Sequence, residues 1–362
     1  MNQDTKTVSI SELEKFCLAA LHKCGLNEAD ARITTDVLVT TDTFGVFTHG
    51  TKALAGYVRR LQAGGLKADA VPRVQAEGPA WAIVDGQSAI GMVTSVFAMN
   101  TAIAKARTAG AAYVGVRNSC HFGAAGYYAN LAAKADMIGM AMANDIPSMV
   151  APGSRKAVLG TNPFAYAVPA GERDPIFLDI ASSAVAGGKI YIAQALGKKV
   201  PDNWLVDSEG VPTTDPLQYP HASALLPFAG HKGYGIAMMI ETLAGVLSGA
   251  GMTWEVGNWM ASDPSQPTHH GAAFLAVNVG AMTPIDAFKR RVDRLIAEIH
   301  QTPTAKGTDR IYVPGEIEWQ KRRTALAEGI ALPENVLASH RSLAKQLGMT
   351  VDWLCAPTTK SV

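Results

Sequence analysis

The sequence lacks the features that mark several large classes of protein. It contains no run of about 18 uninterrupted apolar residues, which argues against a membrane span. It does not open with the basic start and apolar stretch of a secretory signal. Its 32 lysines and arginines nearly balance 31 aspartates and glutamates, so a surface for nucleic acid or anionic lipid is not expected. The composition therefore favours a small molecule as the partner.

Cysteine is scarce, with four residues at Cys17, Cys24, Cys120 and Cys355. They form no CxxC pair and do not reach the density of a disulfide scaffold, which favours a reducing compartment and predicts a cytoplasmic location. Buried structural thiols are the simplest explanation for them. A hydrophobic content of 48% over 362 residues is enough to bury a large core in two or more domains.

The common nucleotide, zinc-protease and hydrolase signatures are also missing, namely GxGxxG after a strand, GxxxxGK[ST], HExxH and GxSxG. Any dinucleotide must therefore be held by something other than a Rossmann turn. The adjacent His269 and His270 have no third ligand nearby, so we predict no metal site. The polar segment 255–271 around them is expected to be a mobile loop with solvated histidines.

Helix signals dominate the N-terminal part of the chain. Ser11 and Glu14 have the spacing of a capping box for a first helix. A second helix is predicted to begin after Asn27, and a third after Thr48, ending at Gly64. These signals predict a small helical unit.

From residue 81 the pattern changes to alternating strands and helices. Apolar runs predict strands at 81–86, 111–116, 137–144, 175–181 and 272–279, and a helix at about 88–107. The segment 232–248 is apolar on most sides and predicts a buried helix, whereas 284–300 predicts a helix with one apolar face, formed by Ile285, Phe288, Val292, Leu295, Ile296 and Ile299. A mixed sheet with covering helices follows from this order.

Two histidines lie in glycine-containing clusters where ordinary core packing does not require them. Thr48 could cap the third helix and leave His49 in its first turn, where the helix N-terminus would lower the histidine pKa. His121 follows a predicted strand, where loops often carry binding groups. On these residues alone, a catalytic role and a packing role are equally consistent with each histidine.

Four further clusters join polar residues to turns. Thr161 and Asn162 offer hydrogen-bond donors in a tight turn, and Asp179 at a strand end could meet a ribose or substrate hydroxyl, although capping explains it equally well. Lys232 at the start of the 232–248 helix suggests phosphate binding, with a solvated turn as the alternative. Residues 313–316 favour a simple turn before a helix.

Six short motifs occur in a fixed order along the chain: GVFTHG (45–50), HFG (121–123), LGTNPFAYAVPAG (159–171), FLDIASS (177–183), GHKGYG (230–235) and VPGE (313–316). Together they resemble the type 2 malate/L-lactate dehydrogenase family, which includes sulfolactate and ureidoglycolate dehydrogenases and diketogulonate and piperideine-carboxylate reductases. The resemblance implies a homodimeric oxidoreductase with a non-Rossmann α/β fold that uses NAD or NADP. It also implies a cofactor-binding central domain, at 76–283, beside a helical unit formed by 1–75 packed with the C-terminal helices in 284–362.

The resemblance also implies roles for individual residues. His49 and His121 match histidines to which acid/base work is assigned in different members, and Thr48 occupies a place often held by serine. Thr161 lies where some relatives contact substrate. The positions that match cofactor contacts are His121, Phe122, Gly123, Asn144, Asp179, Ile180, Ala181, His231, Lys232, Gly315 and Glu316.

This sequence departs from the family pattern at two positions. Ala53 stands where many relatives carry an arginine that binds the substrate carboxylate. The adjacent Lys52 is a candidate replacement, but neighbouring helical residues point about 100° apart, which favours a solvated lysine. We therefore expect a substrate larger than lactate, in a pocket opened at Ala53. Lys189 stands where cyclic imine reductases can carry an aspartate, which places a 2-hydroxy or 2-keto acid ahead of an imine.

Three alternatives to a hydroxyacid dehydrogenase stay open at this point. One is an NADPH-dependent reductase of cyclic imines. A second is a lyase that acts on the same acids through His49 and His121, and a third is a metabolite-binding protein without catalysis. The last two would need no nicotinamide chemistry, so turnover of a reduced cofactor separates them from the first.

Overall fold

The structure, a computed structural model, describes residues 5–355, and the side chain of Cys355 lies outside the described part. The helices are α1 Ile10–His22, α2 Glu28–Thr43, α3 Leu54–Ala63, α4 Gly91–Ala109, α5 Ala125–Lys134, α6 Gly187–Ala195, α7 His231–Ile240, α8 Ile285–His300, α9 Glu316–Glu328, α10 Glu334–Gln346 and α11 Asp352–Cys355. The strands are β1 Thr5–Val8, β2 Arg73–Gly78, β3 Trp81–Asp85, β4 Ala111–Ser119, β5 Met137–Ala143, β6 Met149–Val150, β7 Ala157–Leu159, β8 Phe164–Val168, β9 Ile176–Ile180, β10 Leu205–Asp207, β11 Pro212–Thr213, β12 Ser223–Leu225, β13 His270–Asn278 and β14 Ile330–Pro333.

The first two helices begin with side-chain caps. The Ser9 hydroxyl accepts the N–H of Glu12 at 3.2 Å, and the Glu12 carboxylate accepts the N–H of Ser9 at 3.3 Å. The capping box predicted at Ser11 and Glu14 is therefore wrong, because Ser9 is the last extended residue after β1. The predicted start after Asn27 is confirmed, since the Asn27 side chain caps α2.

The third helix begins later than predicted. Residues 46–50 form a turn, and a 3-10 helix at Thr51–Ala53 leads into α3. Thr48 is therefore not a helix cap. The predicted end at Gly64 is confirmed, because Gly64 adopts a left-handed conformation with φ of 91°.

A seven-stranded mixed sheet forms the centre of the molecule, in the order β2-β3-β4-β13-β5-β8-β9. Neighbouring strands are antiparallel except β3 and β4, which run parallel. The five strands predicted from apolar runs are β3, β4, β5, β9 and β13, all in this sheet. α4 and α5 pack on the sheet, and their buried alanines and methionines belong to the main core.

A second sheet of five short strands, in the order β11-β10-β12-β6-β7, lies in the middle of the chain. It was not predicted, because each of its strands is only two or three residues long and cannot display a periodic pattern. Its own apolar cluster includes Met149, Leu205 and Leu225.

The first and last parts of the described chain contact each other. β1 pairs with β14, α9 contacts α2, and α10 contacts α3. α8 behaves differently: its buried Val292 and Ile296 pack with Ile176 of β9 in a separate cluster. Leu295, predicted to be buried, is 49% exposed. One hydrophobic core joins α1–α3 to the central sheet.

The apolar segment 232–248 forms α7 and then a single π-helical stretch, Glu241–Val246. The prediction that it is buried on most sides is wrong in this chain, because Met238, Met239, Val246 and Leu247 are 42–56% exposed. Within residues 5–355, no helix has both the length and the apolar character needed to cross a membrane.

Candidate active site

The structure brings His49 and His121 together. His49 lies in the turn after α2, and His121 lies between β4 and α5. Their ring centroids are 5.5 Å apart and the ring planes are inclined by 29°. Gly91, the first residue of α4, lets the start of that helix lie against the backbone of His121, because a Cβ there would overlap the carbonyl of His121.

His121 is enclosed by aromatic side chains. Its Nδ1 lies 2.6 Å from the phenol oxygen of Tyr57, and its ring stacks on Trp259 with centroids 4.3 Å apart and an interplanar angle of 10°. Burial lowers the pKa of His121 well below its usual value, and the nearby His49 lowers it further. The imidazole is therefore neutral at physiological pH.

His49 has a more polar surrounding. Its Nδ1 lies 3.0 Å from the hydroxyl oxygen of Thr48. Burial lowers the pKa of His49, and the negative charge of Asp145 opposes this shift in part. The predicted direction of the shift is confirmed, but its physical cause is burial rather than a helix N-terminus.

Asp145 is a site residue that the sequence analysis missed. Its carboxylate lies 3.3 Å from Nε2 of His270 and 3.5 Å from the hydroxyl of Thr161. Burial raises the pKa of Asp145, but the hydrogen bond and charge of His270, together with His121 and the N–H of Ile146, outweigh burial, and the net pKa lies below its usual value. Asp145 is the second residue after β5, so the strand-end argument that selected His121 would also have selected it.

The histidine pair at 269–270 is divided. His269 is exposed as predicted, but His270 is only 3% exposed and begins β13. The prediction of a solvated histidine is wrong for His270, because Asp145 and the hydroxyl of Thr268, at 2.9 Å, hydrogen-bond its two ring nitrogens.

The segment before β13, expected to be mobile, is held by the buried Arg60. Its guanidinium donates to the carbonyls of Trp259 at 2.6 Å, Gln266 at 2.8 Å and Asn258 at 3.0 Å. Arg60 has 0% exposure, and these bonds fix the loop that places Trp259 against His121. No sequence signal pointed to Arg60, because most of its hydrogen-bond partners are backbone carbonyls.

Several predicted cofactor positions lie on accessible surfaces. α7 begins at His231 and Lys232, which are exposed, after Gly230 with φ of 60°, and no side chain caps this end. Asp179 at the end of β9 accepts the N–H of Gly126 at 2.7 Å, and Ile180 and Ala181 beside it are half-buried. An uncapped helix N-terminus with a lysine and a strand-end carboxylate fits the phosphates and hydroxyls of a dinucleotide.

Other residues predicted to contact the cofactor are buried within the protein. Phe122 and Gly123 are buried beside the histidines. Asn144 is 1% exposed, and its side chain bonds the carbonyl of Gly251 at 2.7 Å and the N–H of Gly271 at 2.8 Å.

The 313–316 motif and the region of Lys52 also make contacts within the protein. Glu316 accepts hydrogen bonds from His300 at 2.9 Å and from the N–H of Val313 at 3.2 Å. The expectation of a turn before a helix is confirmed, because Gly315 caps α9 with φ of 88°. Lys52 is half-buried, and Ala53 belongs to the main core, which gives no support to an open pocket beside it.

Comparison with known proteins identifies the class. The family model described as malate/L-lactate dehydrogenase matches residues 8–339. The malate dehydrogenase of Pyrococcus horikoshii is 36% identical over 344 residues, covering 93% of this chain and 94% of that protein. The pyrroline-2-carboxylate and piperideine-2-carboxylate reductase of Pseudomonas putida is 32% identical, covering 93% of this chain and 96% of that protein.

The solved structure of sulfolactate dehydrogenase from Methanocaldococcus jannaschii has a TM-score of 0.88 at 34% identity and covers 96% of this chain and 99% of that chain. This neighbour confirms the predicted non-Rossmann α/β fold. The protein is thus an oxidoreductase of the hydroxyacid dehydrogenase class that uses NAD or NADP. The chain belongs to the malate/L-lactate dehydrogenase family, as the six motifs predicted.

Proposed function

We propose that the protein interconverts a 2-hydroxy acid and a 2-keto acid at the site formed by His49 and His121, with Thr48 beside them. The single observation that carries this proposal is the pair of neutral imidazoles, one after α2 and one after β4, with ring centroids 5.5 Å apart. A neutral imidazole near a reacting oxygen is suited to proton exchange at physiological pH.

The protein's residues have separable tasks in this proposal. When bound, the nicotinamide ring supplies or accepts the hydride. In reduction, the carbonyl carbon gains the hydride, and the carbonyl oxygen gains a proton from one of the two histidines, which has first taken up that proton from water and returns to the neutral imidazole. Lys232 and the uncapped start of α7 bind the cofactor phosphates, and Asp179 binds a ribose hydroxyl. Thr161 orients the substrate.

The substrate proposed here is a 2-keto acid larger than pyruvate. Ala53 cannot bind a carboxylate as an arginine would, and the ionised Asp145 lies 3.5 Å from the Thr161 hydroxyl. A second acid group on the substrate would meet this negative charge, whereas a hydroxyl or amine would donate to it. Lys52, adjacent to Ala53 in sequence, could bind the substrate carboxylate that lies next to the keto group.

Asp145 also favours the second candidate, a reductase of cyclic imines. Lys189 is exposed on α6 and supplies no carboxylate, but Asp145 places one beside Thr161 from another element. A protonated imine nitrogen would be stabilised by that charge. The relatives at similar identity include such a reductase.

A substrate panel tests both candidates. NADH and NADPH are each offered with pyruvate, oxaloacetate, longer 2-keto acids bearing hydroxyl or apolar ends, and five- and six-membered cyclic imine carboxylates. We expect the highest kcat/KM for a longer 2-keto acid without a second carboxylate. Oxaloacetate reduced as efficiently as every longer acid would overturn the substrate proposal, and higher kcat/KM for an imine would favour the second candidate.

We also propose that the protein is a homodimer. The exposed apolar residues Met238 and Met239 lie in α7, and Val246 and Leu247 lie at the end of the π-helical stretch; exposed apolar side chains grouped in one segment are typical of subunit interfaces. Light scattering should give twice the mass of 38.1 kDa. Replacing Val246 and Leu247 by aspartate should then give monomers.

Two further proposals concern organisation and location. We propose that residues 76–283 form the cofactor-binding domain and that 1–75 with 284–362 form a second unit, which the pairing of β1 with β14 supports. Because α8 packs on β9, we assign that helix to the cofactor-binding domain rather than to the second unit.

We also propose a cytoplasmic location, because Cys17, Cys24 and Cys120 are free thiols.

A further inference from the structure

The two histidines of the candidate site differ in what occupies Nδ1. Nδ1 of His49 faces the hydroxyl of Thr48 at 3.0 Å, and Thr48 is exposed. Nδ1 of His121 faces the phenol of Tyr57 at 2.6 Å, and Tyr57 is fully buried. A hydroxyl can donate or accept, so each contact by itself is compatible with either tautomer of the imidazole.

The backbone N–H of Gly123 removes this ambiguity for His121. It donates to Nδ1 of His121 at 3.4 Å. A backbone N–H only donates, so Nδ1 must accept this hydrogen bond with a lone pair and does not carry a proton. The phenol proton therefore points at the lone pair of Nδ1. Burial also raises the pKa of Tyr57 well above its usual value, which keeps the phenol protonated.

Stacking keeps the imidazole ring in this orientation. Trp259 covers His121 with an interplanar angle of 10° and covers Tyr57 at 17°, with centroids 4.3 Å and 5.0 Å apart. Arg60 holds the carbonyl of Trp259, and Gly56 leaves room for the indole, because a Cβ there would lie 2.6 Å from it. Tyr57, Trp259 and His121 thus form one rigid stack.

We propose that Tyr57 is a positioning residue that holds His121 in the tautomer with its proton on Nε2. On the side of the ring away from Tyr57, His121 then presents an N–H donor and no lone pair. It can donate a hydrogen bond to the substrate oxygen and stabilise the negative charge that develops there during reduction. It cannot take a proton at that atom, so the proton that leaves the hydroxyl during oxidation goes to His49. This inference rests on the proposed roles of the two histidines.

The tautomer can be measured without substrate or cofactor. Long-range proton–nitrogen correlation spectra of protein labelled with 15N-histidine distinguish protonated from unprotonated ring nitrogens, and the His121 signals are those lost in His121→Gln. We expect a single Nε2–H tautomer for His121 at neutral pH. In Tyr57→Phe, which keeps the stacked ring and removes only the hydroxyl, we expect a mixture of tautomers.

Activity provides the second readout, with Tyr127→Phe as the matched control. That substitution also removes a mostly buried phenol hydroxyl, whose partner is Asp36 on α2. Tyr57→Phe should lower kcat by about 3-fold to 10-fold with a smaller change in KM, the size expected for one hydrogen bond. Tyr127→Phe should change neither kcat nor the His121 spectrum. An Nδ1–H tautomer in the wild type, or an unchanged spectrum in Tyr57→Phe, overturns the proposal even if the enzyme is active on the expected substrates.

Discussion

The turn that carries His49 and the loop that carries His121 are held in place in opposite ways. The carboxylate of Asp42, at the end of α2, accepts the N–H of Thr51 at 3.1 Å and also its hydroxyl. Gly50 packs so closely on that carboxylate that a Cβ would overlap it. His121 depends instead on Tyr57, Trp259 and Arg60, from distant parts of the chain. The turn around His49 is stabilised by residues close to it in sequence. The surroundings of His121 form only when distant segments of the chain come together.

The largest effect that separates the two regions should come from the histidines themselves. His49→Ala should lower kcat by about 100-fold or more and remove one limb of the pH profile, because a positioned acid or base contributes this much. His121→Ala should lower kcat without removing that limb. His22→Ala, on the surface of α1, is the control and should leave kcat unchanged. Near-normal turnover in both site variants would exclude both histidines from the reaction.

The local region should show a distinctive dependence of stability on pH. Burial raises the pKa of Asp42 to about 7, although the hydrogen bonds from Thr51 lower it. In the unfolded chain the pKa is about 4, so between these values the native state binds the proton and the unfolded state does not. The contribution of Asp42 to stability is therefore present below pH 4 and is lost as the pH rises to about 7.

Asp42→Asn should abolish this component. Chemical denaturation of wild type and variant across this pH range should show their difference in unfolding free energy changing by about 4 kcal/mol, the equivalent of three pKa units. Asp30→Asn, on the exposed start of α2, provides the control. A constant difference between wild type and Asp42→Asn would contradict the raised pKa.

The long-range region should be most sensitive at Arg60. Arg60→Ala leaves the carbonyls of Asn258, Trp259 and Gln266 without their donor and should cost about 3 kcal/mol of stability. It should also lower kcat by about 10-fold, since Trp259 is released from His121. Arg59→Ala removes the exposed neighbour on α3, whose guanidinium donates to the carbonyl of Met260 in the same loop; because Arg59 is exposed, this substitution should cost less than about 1 kcal/mol. Equal effects of the two substitutions would show that the loop does not depend on the buried guanidinium.

The same contrast explains what the sequence could predict. His49 and His121 stand in short motifs with glycine, and the central strands have apolar runs long enough to be read. Arg60 and Trp259 were not predicted, because nothing near either residue in sequence indicates its distant partner. His270 was misjudged for the same reason, since its partner Asp145 follows a different strand.

The smallest effect is expected from a substitution that adds one methyl group beside the stack of Tyr57, Trp259 and His121. Gly56→Ala places a Cβ 2.6 Å from the indole of Trp259, and such overpacking costs about 1–3 kcal/mol. Alanine in the helix interior gains about 1 kcal/mol over glycine, so the net loss of stability should be about 1 kcal/mol. Because Trp259 must shift away from His121, kcat should still fall by about 3-fold. Ala63→Gly is the opposite control at the exposed end of α3: it should lose stability through helix propensity alone and keep wild-type kcat. A Gly56→Ala enzyme with wild-type kcat and an unchanged His121 spectrum would show that the indole does not set the orientation of the imidazole.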